Sequence, residues 1–488
     1  MYIFISIYIY IMNACNKRLT FSEKELAILR AAVDLAGEKA GRKIAQSDEV
    51  KKIIDIVENF LRKKKLICYG GTAINNILPV GDQFYDKSVE IPDYDFFSHS
   101  ALTDAKELAD IYANSGYTDV EAKSGVHHGT FKVYVNFIPV ADITYIPKKL
   151  YQALSKESIR VNGILYSPPN YLRMGMYLEL SRPMGDVSRW EKVLKRLVLL
   201  NKNYPMQNPK CDHIDFMRSF EGDKQETNEI YRIVRDSITD QGLVFFGGYS
   251  SSLYSKYMPK NKRAMFNKKS PDFDALSEDP ETSATIIKER LQDEGFEKVK
   301  MHKHPGFGEI ISPHYEITID EDTVAFIYKP LACHSYNVIR LGGKKVKVAT
   351  IDTMLSFFLA FLYADRPYYE HDRIICMSQY LFKVQAKNRL EQKGVLKRFS
   401  LKCIGKQKTL EDSRAEKSSM FEKLKHKRGT KEFDEWFLRY APGDKKAIKA
   451  TVMARKQQKK KKRRQTKKKK IVKKKKRRQT KKKGFLMF

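Results

Sequence analysis

Two acidic side chains one residue apart, Asp93 and Asp95, open the chemical reading of this 488-residue chain. The run Asp93-Tyr94-Asp95-Phe96-Phe97 reads as a strand, and residues two apart on a strand face the same side. Their carboxylates therefore project together and repel each other unless a cation sits between them. Magnesium suits such a pair, because it takes hard oxygen ligands and keeps positions open for phosphate oxygens and water. A third carboxylate, Asp142, lies in the apolar run from Ile138 to Tyr145, where a charge is costly without a partner. On a neighbouring strand it allows a second ion, and paired ions stabilise the attacking and leaving oxygens of an in-line phosphoryl displacement. Upstream, the apolar run 66–69 ends in Gly70-Gly71, where the backbone can approach a phosphate. A helix from Thr72 then points its first amides at the same place. A double glycine after a strand is usually only a turn, and a lone D-x-D more often a solvated loop. Their order along one chain is what carries the reading.

The elements that must hold these residues follow from local signals. Ser22-x-x-Glu25 is a capping box ahead of a first helix, and Ser47-Asp48-Glu49 opens a second, with Ile53, Ile54, Val57, Phe60 and Leu61 along one side. Helices are predicted over 72–78 and 103–114, the latter stopped by Gly116. Phe131, Val133 and Val135 alternate as a strand, 138–145 forms another, and helices fill 168–180 and 188–200. The same order then recurs. Leu243–Gly248 repeats the strand ending in two glycines, Ser270-Pro271-Asp272-Phe273-Asp274 repeats the paired acids, and Arg366-Pro367 answers Arg182-Pro183. The interval from Gly71 to Asp93 is 22 residues, against 24 from Gly248 to Asp272. This is a tandem duplication, with a period too long for a solenoid. Aligned on Tyr145/Tyr328 and Pro147/Pro330, the second copy has Ala325 where the first has Asp142, so it is expected to hold magnesium poorly and to be structural.

Composition bounds the remainder. With 42% apolar and 11% aromatic residues the chain can bury real cores. Its net charge of +34 is uneven: from Lys445 onward there are 24 Lys and Arg and no acid, leaving +10 over residues 1–444. KKKKRRQTKKK occurs at 459–469 and again at 473–483, a block too polar to fold, so the tail is expected to be disordered. RNA retention, nuclear import or neither are its readings. The six cysteines lie far apart with no C-x-x-C pair, an arrangement that favours neither a disulfide framework nor a cysteine zinc site and fits a reducing setting. Residues 2–12 are almost wholly apolar yet too short to span a membrane, and no membrane partner is expected. A translation start upstream of the true Met12, a hydrophobic strand and a secretion signal are the competing readings of that segment. Arg189, Lys192, Lys195 and Arg196 on one helix are candidates for RNA phosphates, or a solvated basic face; Trp190 is a candidate for base stacking, or core. His127-His128 lacks a third metal ligand at matching spacing and reads as a loop near the nucleotide.

The G-G, D-x-D and distant Asp together resemble the nucleotidyltransferase superfamily related to DNA polymerase beta. More closely, YGGTAINNILP, PDYDFF, HHGTFKVYVNFIPVADITYIP and NYLRMGMYLELSRP resemble the catalytic subunit of the poly(A) polymerases of poxviruses and mimivirus-like giant viruses, over about residues 20–390. The resemblance implies an α/β (α+β) fold of tandem nucleotidyltransferase-like units with mixed sheets, the second degenerate, plus a helical N-terminal segment. The expected division is an apolar extension (1–19), N-terminal helices (20–62), a catalytic unit (63–185), a helical linker (186–236), the degenerate unit (237–390), a C-terminal helical region (391–445) and the basic tail (446–488). It implies template-independent addition of a poly(A) tail to mRNA 3′ ends from ATP. Asp93, Asp95 and Asp142 would be the catalytic, metal-binding triad for Mg2+ or Mn2+, with Gly70, Gly71 and Thr72 at the triphosphate. Kinship further implies a homodimer, and the virion and host cytoplasm (viral factory) as its place. The polylysine tail, the apolar start and 391–445 fall outside the resemblance. No short motif fixes base selectivity, so a nucleotidyltransferase using another nucleotide or acceptor stays open, as does an inactive RNA-binding scaffold.

Overall fold

The structure is a computed structural model that describes residues 20–442, apart from 46, 87, 88, 90, 207, 209, 210, 212, 213, 219, 221, 222, 259–262, 264–269, 389 and 390. The apolar start and the polylysine tail, with the disorder expected of it, lie outside the described residues. Two N-terminal helices come first, α1 (Phe21–Ala45) and α2 (Asp48–Lys64). The capping box of α1 is Thr20-x-x-Glu23 rather than the expected Ser22-x-x-Glu25: the Glu23 carboxylate takes the Thr20 amide at 2.7 Å while Thr20 Oγ1 accepts from the Glu23 amide. Ser47 caps α2 by accepting from the Val50 amide, and Ile53, Val57, Phe60 and Leu61 are buried beneath it.

The first unit then runs β1 (Ile67–Cys68), α3 (Gly70–Ile77), β2 (Tyr94–Ser98), α4 (Ala101–Asn114), β3 (Val120–Ser124), β4 (Thr130–Val135), β5 (Ile138–Tyr145), α5 (Lys148–Glu157), β6 (Ile159–Val161), β7 (Ile164–Tyr166) and α6 (Pro169–Leu180), with α7 (Trp190–Asn203) after it. The second comprises α8 (Lys224–Asp240), β8 (Val244–Phe246), α9 (Gly247–Leu253), β9 (Phe273–Leu276), α10 (Pro280–Asp293), β10 (Val299–His304), β11 (His314–Ile319), β12 (Asp322–Tyr328), β13 (His334–Leu341), β14 (Lys344–Ala349), α11 (Ile351–Phe361) and α12 (His371–Lys387). The C-terminal region holds β15 (Cys403–Ile404), α13 (Leu410–Leu424), α14 (Lys431–Phe437) and β16 (Arg439–Tyr440).

The duplication is visible strand by strand. One sheet has the order β16-β3-β4-β5-β2-β1-β7-β6 and the other β10-β11-β12-β9-β8-β14-β13-β15. Seven strands correspond in order and sense, including the parallel pairs β2/β5 and β9/β12 beside the antiparallel β1/β2 and β8/β9. The eighth strand of each sheet comes from the C-terminal region, which is therefore not only helical as expected: β16 extends the first sheet at β3 and β15 the second at β13. The units meet where α6 faces α11, with Tyr171 edge-on to Tyr363 at 5.3 Å and the Ser335 amide donating to Ser181 O.

The cysteines depart from the sequence reading. Cys211–Cys376 and Cys333–Cys403 are disulfides, while Cys68 is free and buried. Separations of 165 and 70 residues leave no local pattern to read; tertiary folding alone brings these sulfurs together.

Candidate active site

The glycine turn is built around a carboxylate. Strand β1 ends at Cys68, and the helix begins at Gly70 itself, two residues before the predicted Thr72. Gly70 has φ +73°, and a Cβ there would lie 2.6 Å from Asp95 Oδ2, so the position needs glycine on both counts. A Cβ on Gly71 would meet Tyr85 Oη at 2.6 Å and Arg196 Nη1 at 2.8 Å. Thr72 turns its hydroxyl away to the Asp93 carbonyl at 2.7 Å, which ties the first turn of α3 to the loop entering β2.

Asp93 sits one residue before β2 and Asp95 within it, and Asp95 pairs in register with Asp142 on the parallel strand β5. All three line one cavity of about 700 Å³, together with Gly70, Gly71, Thr72, His127 and Glu179. Burial pushes the Asp95 carboxyl up to about 7, and Asp93 and Asp142 beside it add to the rise. Asp93 is also raised, by burial first and then by Asp142. Across the hairpin, Lys132 of β4 pairs with Asp142 in register and its ammonium holds Asp142 Oδ2. Asp142 Oδ1 is buried with no hydrogen-bond partner.

This oxygen-only set, crowded with negative charge and keeping one orphaned carboxylate oxygen, fits hard divalent ions. The donors surround the cavity without being drawn together: among the described residues no three His, Cys, Asp or Glu side chains converge closely enough to hold one ion. Lys132 was not singled out from sequence. Its partner is set by a register shift between Val133 and Tyr134 that moves Lys132 from opposite Ala141 to opposite Asp142.

The basic helix divides by its periodicity. Arg189, Lys192 and Arg196 line the cavity, whereas Lys195 faces away and pairs with Glu191 at 2.6 Å. Arg196 is held over Gly71 by the rings of Phe84 and Tyr85, 4.7 and 5.3 Å from its guanidinium, and donates to Tyr85 Oη at 2.6 Å. Trp190 packs on Phe399 at 5.4 Å and donates to Glu179 O, which makes it part of the packing of α7 against α6 and the C-terminal region.

The second unit keeps the glycines and two acids but fills the site. Gly247, φ +68°, abuts Asp274 as Gly70 abuts Asp95. Sheet register pairs Asp274 with Phe326, so Phe326, not the expected Ala325, occupies the place of Asp142. Arg218 lies over the Phe326 ring at 5.5 Å and 3.7 Å from Asp272, and Arg373 reaches Asp272 at 3.3 Å. Guanidinium groups thus neutralise Asp272, the counterpart of Asp93, while burial and the neighbouring Asp272 push the Asp274 carboxyl up to about 7.

A duplicated α/β unit, with open carboxylates in one copy and arginine-filled carboxylates in the other, is the class the architecture defines. Residues 55–186 match the family model of the poly(A) polymerase catalytic subunit. The chain is 34% identical over 174 residues to an African swine fever virus protein named "Putative poly(A) polymerase catalytic subunit", covering 34% of this chain and 36% of that one. A protein of the same name from Acanthamoeba polyphaga mimivirus is 30% identical over 164 residues, 33% of this chain and 28% of its own. The chain thus spans about a third of the length of the curated relatives it matches. Its fold is that of the Megavirus polyadenylate synthase, with TM-score 0.71 over 88% of each chain at 20% identity. The resemblance read from the motifs is borne out by these matches.

Proposed function

We propose that the protein is a template-independent polynucleotide adenylyltransferase that extends mRNA 3′ ends from ATP. The observation that carries this is the placement of Asp93, Asp95, Asp142 and the Gly70-Gly71 turn around one cavity, inside the segment that matches the polymerase family. The 3′-hydroxyl of the RNA attacks the α-phosphorus; the new O–P bond replaces the bond to the bridging oxygen, and pyrophosphate leaves with that electron pair. Asp93, Asp95 and Asp142 would hold Mg2+ or Mn2+, which when bound supplies charge neutralisation across the attacking and leaving oxygens. The first turn of α3 presents its amides to the triphosphate, and Arg196, fixed by Tyr85 and Phe84, closes over it. Asp142, whose buried Oδ1 has no hydrogen-bond partner in the protein, would help take the hydroxyl proton. The filled second site makes that unit a structural partner of the first. Kinship with viral enzymes extends the proposal to a second copy of this chain as partner and to the virion and infected-cell cytoplasm as location; light scattering and fractionation test these.

Primer extension tests the reaction. A 5′-labelled RNA incubated with divalent metal and each NTP should give a ladder with ATP. A ladder with another NTP keeps the chemistry and changes the substrate. Tight RNA binding with no ladder from any NTP overturns the proposal in favour of a scaffold.

A further inference from the structure

The C-terminal segment returns to the first unit and ends beside its cavity. Strand β16 pairs with β3 (Arg439 with Lys123, Tyr440 with Ala122), and the Ser124 amide donates to Leu438 O. Leu438 is buried, Tyr440 donates to Asp110 at 2.6 Å, and Lys106 pairs with Asp434 at 2.7 Å. These contacts anchor the strap. Trp436 contributes to the anchor through its backbone, accepting from Ser124 Oγ at 2.9 Å, while its half-buried indole lies against His128 with centroids 4.1 Å apart.

The indole stands beside a turn that reaches the cavity. Val126, His127 and His128 form the exposed turn between β3 and β4, and His127 lines the catalytic cavity. Tyr145, at the end of β5, is 52% exposed beside Gly129 of the same turn. His128 is four residues from Lys132, the partner of Asp142, so the Cα atoms of His128 and Lys132 lie at most about 13 Å apart, at ~3.3 Å per residue. The cations at this spot belong to the same elements: Lys417 of α13 donates to Gly125 O, and Lys123 lies on β3.

We propose that Trp436 and His128 form a stacking platform for bases near the 3′ end of the RNA, with the C-terminal strap serving to bring the indole to the cavity mouth. The proposal rests on the reading of the chain as an RNA-extending enzyme. Aromatic faces with flanking cations bind single strands with little sequence preference, which suits an enzyme that must hold any message and then its own product. Each base stacked on such a ring gives up enough affinity on truncation to be measured, about five-fold or more.

The chain has two tryptophans, so Trp190→Phe leaves Trp436 as the sole indole reporter. Oligo(A) RNA titrated into that full-length variant should quench its fluorescence with the same midpoint as RNA binding measured by anisotropy. His128→Ala, an exposed position that leaves the strap's anchors on β3, Asp110 and Lys106 intact, and Trp436→Leu should each weaken RNA binding and raise KM for RNA about five-fold or more, leaving KM for ATP unchanged; Trp436→Phe should restore most of the affinity. RNA binding without quenching, or wild-type RNA affinity in both His128→Ala and Trp436→Leu, overturns the platform. RNA binding with quenching but no extension from any NTP sinks the polymerase reading and leaves the platform standing.

Discussion

Arg373→Met is the sharpest test of how the second unit came to be filled. Arg373 Nη1 lies 3.3 Å from Asp272 Oδ2, and the two side chains are 9% and 4% exposed. At an effective dielectric of ~20 the attraction is about 5 kcal/mol. Arg218, 3.7 Å from the other Asp272 oxygen, keeps part of the compensation. Removing one partner of a buried pair strands the other, with a typical cost of about 3–5 kcal/mol; the remaining arginine places the expectation near ~3 kcal/mol. For a unit of this size that is a fall in melting temperature of roughly 6–12 °C. Methionine conserves the stem, so lost packing is a small part of it. Calorimetry should show the drop at both low and high salt, because a buried pair is poorly screened. Asp272→Asn introduced into Arg373→Met should recover at least half of it, the signature of coupled partners. A drop below about 2 °C, or strict additivity in the double variant, would refute the argument that arginines stand in for a cation there.

Three further outcomes follow from other parts of the molecule. His314 and His334 are buried and held neutral, pushed by burial down to about 4 and about 3. The unfolded chain takes up those protons below pH ~6.5, so stability should be lost as pH falls from about 6.5 to 4, on the order of 3 kcal/mol from His314; His314→Gln should flatten the melting curve in that window. Gly71→Ala drives a methyl into Tyr85 and Arg196, and Arg196→Ala removes the guanidinium; both should raise KM for ATP about tenfold or more while RNA affinity holds. Reduction of Cys333–Cys403, which closes a 70-residue loop, should lower stability by up to ~4 kcal/mol, and unchanged melting in reductant would remove that disulfide from the account.

What could be read from sequence was local or repeated. Asp93, Asp95 and the double glycine announce themselves within a few residues, and the duplication shows because its landmarks recur at matched intervals. Details set by sheet register could not be read. The bulge in the β4–β5 hairpin decides that Lys132 rather than a neighbour meets Asp142, and one residue of slip separates Ala325 from Phe326 as the counterpart of Asp142. Long-range closure was equally hidden: the cysteines, the two edge strands from the C-terminal region, and Trp436 against His128 depend on where distant segments return. The helix start at Thr20 was missed for a simpler reason, since two overlapping Ser/Thr-x-x-Glu patterns compete and only hydrogen bonding decides between them.

The central claim is that chemistry belongs to the first unit alone. Its most direct test is ATP-dependent extension of a labelled RNA by Asp95→Asn and by its counterpart in the second unit, Asp274→Asn, each first shown to be folded by circular dichroism. Asp95→Asn should lose activity by about 10³-fold or more, and Asp274→Asn should stay within a few-fold of wild type. Comparable loss in both, or full activity in Asp95→Asn, would contradict the account.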